Sequence, residues 1–284
     1  MQISHTPLTD QQIQAELFSQ LAIIDPAAVN LNEWKTQTYL DEFTSWLTSS
    51  SYNQIVGLDQ FPNRAYCSGV LNAIESFILR HARSRRLRFS QAEFIGAKVA
   101  CNYAGAEWRW LEDGPICTGD AVIISWPFAG NGREYPGQEE LFNSCNQLDV
   151  PVMVDLAYFG ISSGMVFDLT HSCITDVATS LSKPMSTMLR LGIRYTKDLY
   201  DDPIQTSSNL KIYNRISTSI GTVLMQKFSY DWIVNKYLPR AHEVCNSKSL
   251  ILSNTFTLAL GDKNGHPEFE RNGYYRICIT DEIL

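Results

Sequence analysis

Apolar positions recur at helical spacing twice near the start of the chain. One stretch is TDQQIQAELFSQLAII, where Thr9 or Asp10 can serve as an N-cap, and the other is LNEWKTQTYLDEFTSWLTSS. They predict a helical arm or cover over residues 1–50. The pattern then changes. Between 51 and 205 it predicts a helix over GVLNAIESFILRHA, a strand at RLRF, a strand-like run at AKVACNY and a strand at DAVIIS. A helix over GQEELFNSCNQL follows, then strands at VPVMVD, DVATSLS and RLGIRYT. Strands alternating with helices in this way predict an α/β domain with a mostly parallel sheet flanked by helices. From 206, helical segments running through NKYLPRAHEV give way to short strands in LILSNTFTLAL and YYRICIT, the pattern of a small α+β C-terminal domain over 206–284. No segment repeats, which argues against a solenoid or propeller.

Composition narrows the function classes. With 284 residues, 44% hydrophobic and 19% charged, the chain can bury a sizeable core. A net charge of −7 disfavours nucleic acid and anionic membranes as general partners. The run RHARSRRLR at 80–88 gathers five arginines, and we read it as the solvated end of the helix that opens at Gly69, where cations favour the dipole, rather than as a nucleic-acid site. No apolar run approaches the length of a membrane helix, and the polar N-terminus lacks the order of a signal peptide, so a cytoplasmic protein is expected. The seven cysteines include no C-x-x-C pair, and the five histidines are scattered. We expect reduced thiols packed as small hydrophobes and no metal site.

Two positions break the apolar pattern in a way that suggests chemistry. The buried-looking strand VPVMVD ends on Asp155, and in an open parallel sheet ligands gather at the carboxyl ends of the strands. An acid in the core needs a positive partner, such as a protonated ring nitrogen. Further on, SLSK places Lys183, the one charge of its run, among small polar residues in a stretch that reads as buried. Desolvation there would disfavour the ammonium form, as a lysine that attacks a carbonyl requires.

D-L-A-Y at 155–158, followed by S-L-S-K at 180–183 and R-L-G at 190–192, resembles the core signature of the class I/II aminotransferases, the fold type I family of pyridoxal-phosphate enzymes. CSGVLNAIESF at 67–77 is similar to that family's phosphate-cradling turn, with an alanine four residues after the glycine. TGDAVIISWPFAGNG at 118–132 sits where the family carries a strand ending in a Pro- and Gly-containing loop. The resemblance covers about residues 60–200 and makes 51–205 a pyridoxal-phosphate-binding large domain.

The resemblance implies pyridoxal 5'-phosphate as cofactor and assigns roles. Lys183 would form the Schiff base with the cofactor aldehyde and later move the substrate's α-proton. Asp155 would keep the pyridine nitrogen protonated, and Tyr158 would donate to the ring's phenolic oxygen. Backbone N–H groups of Ser68, Gly69 and Val70 at a helix start, the hydroxyls of Ser180 and Ser182, and Arg190 would hold the phosphate. Phe94 lies where the family places a stacking aromatic, and Arg276 resembles the arginine that clamps the substrate carboxylate. There are departures as well. Ala129 stands where the family loop presents an asparagine, with Asn131 two residues later as the alternative. The Lys183–Arg190 spacing is one residue shorter than the family's, and the C-terminal domain is shortened.

The implied function is an aminotransferase passing an amino group from an amino acid to a 2-oxo acid, as a homodimer. The alternatives are another pyridoxal-phosphate reaction, whether lyase, decarboxylase, oxidase or cyclase, or a non-catalytic relative acting as a binding protein.

Overall fold

The computed structural model describes residues 6–22 and 36–284. The parts of the two predicted N-terminal helices at 23–24 and 31–35 lie outside the described residues. Within them, α1 (Gln11–Ala22) opens on Asp10, whose Oδ1 accepts from the amides of Gln12 at 2.8 Å and Ile13 at 2.9 Å. Asp10, not Thr9, is therefore the cap. The second segment forms α2 (Thr36–Thr48).

Thirteen strands follow among the described residues: β1 (Asn53–Val56), β2 (Asn63–Cys67), β3 (Arg86–Phe89), β4 (Trp108–Trp110), β5 (Asp120–Ser125), β6 (Val152–Asp155), β7 (Met165–Asp168), β8 (Ile174–Ser180), β9 (Gly192–Thr196), β10 (Ile251–Leu252), β11 (Leu258–Leu260), β12 (Glu270–Arg271) and β13 (Tyr274–Cys278). Seven of them form one sheet in the order β2-β9-β8-β6-β5-β3-β4. Pairing is parallel from β8 through β6, β5 and β3 to β4, and only β9 runs against its neighbours. Every residue of β5 and of β6 is buried, as expected of strands covered on both faces. The helices of this region are α3 (Val70–His81), α4 (Ile95–Ala104) and α5 (Gln138–Leu148). Helix α3 buries Val70, Ala73, Ile74, Phe77 and Ile78, an i, i+3, i+4, i+7, i+8 stripe.

AKVACNY is a correction to the sequence reading. It lies inside α4, not in a strand. Ala97 and Cys101 are buried one helical turn apart while Val99 and Tyr103 are exposed, and Gly105 in a left-handed conformation ends the helix. A short run of alanine, valine and cysteine cannot be assigned by periodicity alone, and packing against α3 decides it.

The arginine run is a second correction. Arg80 pairs with Asp176 at 2.6 Å, and Arg86 and Arg88 both pair with Asp120, at 2.7 and 2.8 Å. Arg88 is only 1% exposed, and its Nη2 donates to the carbonyls of Trp110 and Gly114. Three of the five arginines thus form ion pairs with acids of the central sheet rather than a solvated helix end.

After β9 come α6 (Pro203–Asn209), α7 (Arg215–Lys227) and α8 (Tyr230–Ser247), then an antiparallel sheet in the order β10-β11-β13-β12 and the short α9 (Thr280–Ile283). Strands β1 and β7 form a separate parallel pair. Among the described residues no helix is long and apolar enough to cross a membrane, and no His, Cys, Asp and Glu groups are arranged to hold a metal. All seven cysteines are free, and only Cys117 is exposed.

Candidate active site

Strand ends supply one wall of the site. Ser125 and Asp155 are register partners at the carboxyl ends of β5 and β6, and Asp155 also pairs with Ala178 of β8 two residues before Ser180. The chain leaves β8 in a tight turn, where the Met185 amide donates to the Leu181 carbonyl at 3.0 Å, and Lys183 sits on that turn. The N-terminal segment reaches across to it, with the Leu8 amide donating to the Lys183 carbonyl at 3.0 Å.

A cavity of about 220 Å³ opens here. It is lined by Asp155, Tyr158, Ser180, Ser182, Lys183 and Arg190, and also by Gly69, Val70 and Phe94. Nine of the predicted site residues therefore share one pocket. Nζ of Lys183 lies 5.8 Å from the centre of the Tyr158 ring. Burial pushes the Lys183 amine below the ordinary lysine range, opposed by the nearby Asp155 carboxyl. Burial pushes Asp155 itself up to about 7, opposed by a 2.7 Å hydrogen bond from the Ala157 amide and reinforced by Glu93. Each charge is desolvated, and each lowers the cost of the other.

The opposite wall is the start of α3. Gly69 has φ +91°, and a Cβ there would lie 3.1 Å from Nη2 of Arg190. That nitrogen donates to the Ser68 carbonyl at 3.0 Å. Arg190 itself has φ +50°, an uncommon conformation for a non-glycine residue, and it turns the side chain back toward α3. The hydroxyl of Ser182 is buried without a hydrogen-bond partner. Phe94, 41% exposed at the N-terminus of α4, folds over Gly96, where any Cβ would come within 2.3 Å of the ring.

Three predicted residues are not among the lining residues. Ser68 contributes its carbonyl to Arg190. Asn131 is buried in its own loop, accepting from the Arg133 amide at 2.8 Å, as an Asn-Gly turn does. Ala129 lines the pocket in its place. Arg276, 1% exposed on β13, lies behind that loop and donates from Nη1 to the Ala129 carbonyl. Leu71, Ser125, Ala157 and Thr187 line the pocket without having been expected there from the sequence. Ser125 carries a legible signal: like Asp155, it is a polar residue ending an apolar strand.

The chain aligns with cystalysin from Treponema denticola, which contains a pyridoxal 5'-phosphate cofactor, at a TM-score of 0.69 and 12% identity over 98% of this chain and 88% of that one. Tyrosine aminotransferase from Leishmania infantum gives 0.65 at 12% identity, over 96% and 87% of the two chains. This is the fold type I aminotransferase fold. A pyridoxal-phosphate-bound C–S lyase from Staphylococcus hominis shares the fold at a TM-score of 0.63 and 14% identity, covering 95% of this chain and 85% of that one. No family model matches the sequence, and no curated protein matches it. The fold type I likeness thus lies in the three-dimensional arrangement and the short motifs, not in overall sequence.

Proposed function

We propose that the protein is a pyridoxal-phosphate-dependent enzyme that transfers the amino group of an amino acid to a 2-oxo acid. The observation that carries this reading is a buried acid and a desolvated lysine facing one cavity, with an arginine at a helix start on the far wall.

The residues present suit the cofactor. A phosphate needs several donors, and the α3 amides of Gly69 and Val70, the hydroxyls of Ser180 and Ser182, and Arg190 supply them; the buried, unpartnered Ser182 hydroxyl is suited to such an acceptor. Glycine at 69 keeps the approach open. When bound, pyridoxal phosphate supplies a carbonyl for amine attachment and an electron sink for bond cleavage at the α-carbon.

The protein's own residues do the rest. Lys183 Nζ, whose ammonium form is disfavoured by burial, would be the attaching nucleophile and then the base that carries the α-proton. Asp155 would keep a proton on the cofactor's ring nitrogen by its negative charge, Tyr158 would donate a hydrogen bond to the ring's phenolic oxygen, and Phe94 would pack against the ring. Arg276, buried behind the Ala129 wall of the cavity, would be the residue that meets the substrate carboxylate. The reading includes a 51–205 cofactor-binding domain, a 206–284 small domain, and a homodimer in the cytoplasm.

A second reading is cleavage of a C–S bond, favoured by the likeness to the C–S lyase from Staphylococcus hominis. An amino-acid panel decides between the two. Transamination predicts 2-oxo acid formation that depends on an added amino acceptor, whereas thiol and ammonia release without an acceptor supports the lyase.

A further inference from the structure

Glu93 contacts neither cofactor nor substrate in the reading above and enters only through its charge beside Asp155, yet its carboxylate is fully engaged in hydrogen bonds. It follows β3 in the turn that leads to Phe94 and is 5% exposed. Its carboxylate accepts from the Phe94 amide at 3.1 Å, from the Ser125 amide at 2.9 Å and from the Ser125 hydroxyl. Ser125 Oγ in turn accepts from the Ala129 amide at 2.7 Å, so its proton points to Glu93. The Ala129 carbonyl then accepts from Arg276 Nη1.

Glu93, Ser125, Ala129 and Arg276 thus form one continuous hydrogen-bonded line across three separate segments of the chain. Two members, Ser125 and Ala129, line the cavity. Alanine at 129 has no side chain with which to orient a neighbour, so the arginine is oriented by a backbone carbonyl. A backbone carbonyl is only as well placed as its loop.

We propose that Glu93 is a positioning residue for substrate binding: by clamping Ser125, and through it the 126–132 loop, it fixes the carbonyl that orients Arg276. This rests on the functional reading above, in which Arg276 meets the substrate carboxylate. All three contacts to Glu93 are donors, which suits an ionised carboxylate. Burial pushes its carboxyl up, while these donors and Arg271 hold it down.

The test begins on the full, cofactor-free chain. In Ser125→Ala and in Glu93→Ala, amide hydrogen exchange over 128–132 should quicken by about tenfold or more while β6 and β8 keep their protection. The double variant should be no faster than the faster single, as expected within one network. Ser125→Thr, which keeps the hydroxyl, should restore protection. With cofactor added, both alanine variants should raise KM for the amino acid about tenfold and leave kcat within about twofold. Loop exchange that stays at the wild-type rate in Ser125→Ala overturns the inference, as does loss of protection across the whole sheet. Unchanged exchange in the variants, when the wild-type protein does bind cofactor at Lys183, removes only the role of Glu93. Failure of the wild-type protein to bind cofactor there removes the functional reading and this role with it.

Discussion

Nζ of Lys183 and the ring of Tyr158 meet at 5.8 Å although they come from different strand ends, the turn after β8 and the turn after β6. The sheet order places β6 and β8 side by side, so two turns distant in sequence face one cavity. Asp155, three residues before Tyr158, enters the same cavity from the end of β6. The site is therefore a consequence of strand order, and it follows the general tendency of parallel sheets to bind ligands at their carboxyl ends.

The proposed phosphate wall makes the first prediction. Arg190→Lys keeps the charge but loses the planar fork, and Gly69→Ala puts a methyl group 3.1 Å from the guanidinium in a backbone conformation that alanine resists. Each should weaken cofactor binding by about tenfold or more, equal to about 1.4 kcal/mol. Fluorescence titration of the cofactor-free protein checks this, and unchanged affinity in both variants would remove this wall from the site.

Asp155 sets a pH dependence in the cofactor-free protein. Its folded-state pKa is raised by burial to about 7 from an ordinary 3.8, so its contribution to stability is complete below pH 4 and is lost as pH rises to 7. The full loss would be about 4 kcal/mol as an upper bound. Asp155→Asn cannot ionise and should melt higher than wild type at pH 8, relative to the same comparison at pH 4. Thermal melts of both proteins at the two pH values test this, and a wild-type pH slope equal to that of the variant would contradict it.

Much of this site is legible in the order of residues along the chain. Asp155 and Lys183 stand out because a charged residue at the end of an apolar run has few inexpensive explanations in a protein core. What stays hidden depends on side chains chosen by packing. AKVACNY reads as a strand because small apolar residues fit either period, and only its contact with α3 selects the helix. Arg88 reads as solvated because its partner, Asp120, is 32 residues away and reaches it only through the pairing of β3 with β5. Asn131 looks available, but a local turn uses its side chain.

The arginine correction carries its own prediction. Asp120 serves both Arg86 and Arg88 and also accepts from the Cys117 amide at 2.9 Å. Asp120→Ala leaves the buried Arg88 charge without its carboxylate and should cost about 3–5 kcal/mol, read by denaturant unfolding. A loss below about 1 kcal/mol would show that the carbonyls around Arg88 suffice.

The central claim is that Lys183 attaches the cofactor. The most direct test is borohydride reduction of protein incubated with pyridoxal phosphate, followed by peptide mapping. The account predicts one pyridoxyl group per chain, on the peptide containing SLSKPM and localised to Lys183. Modification spread over surface lysines, or no modification at all, would contradict it.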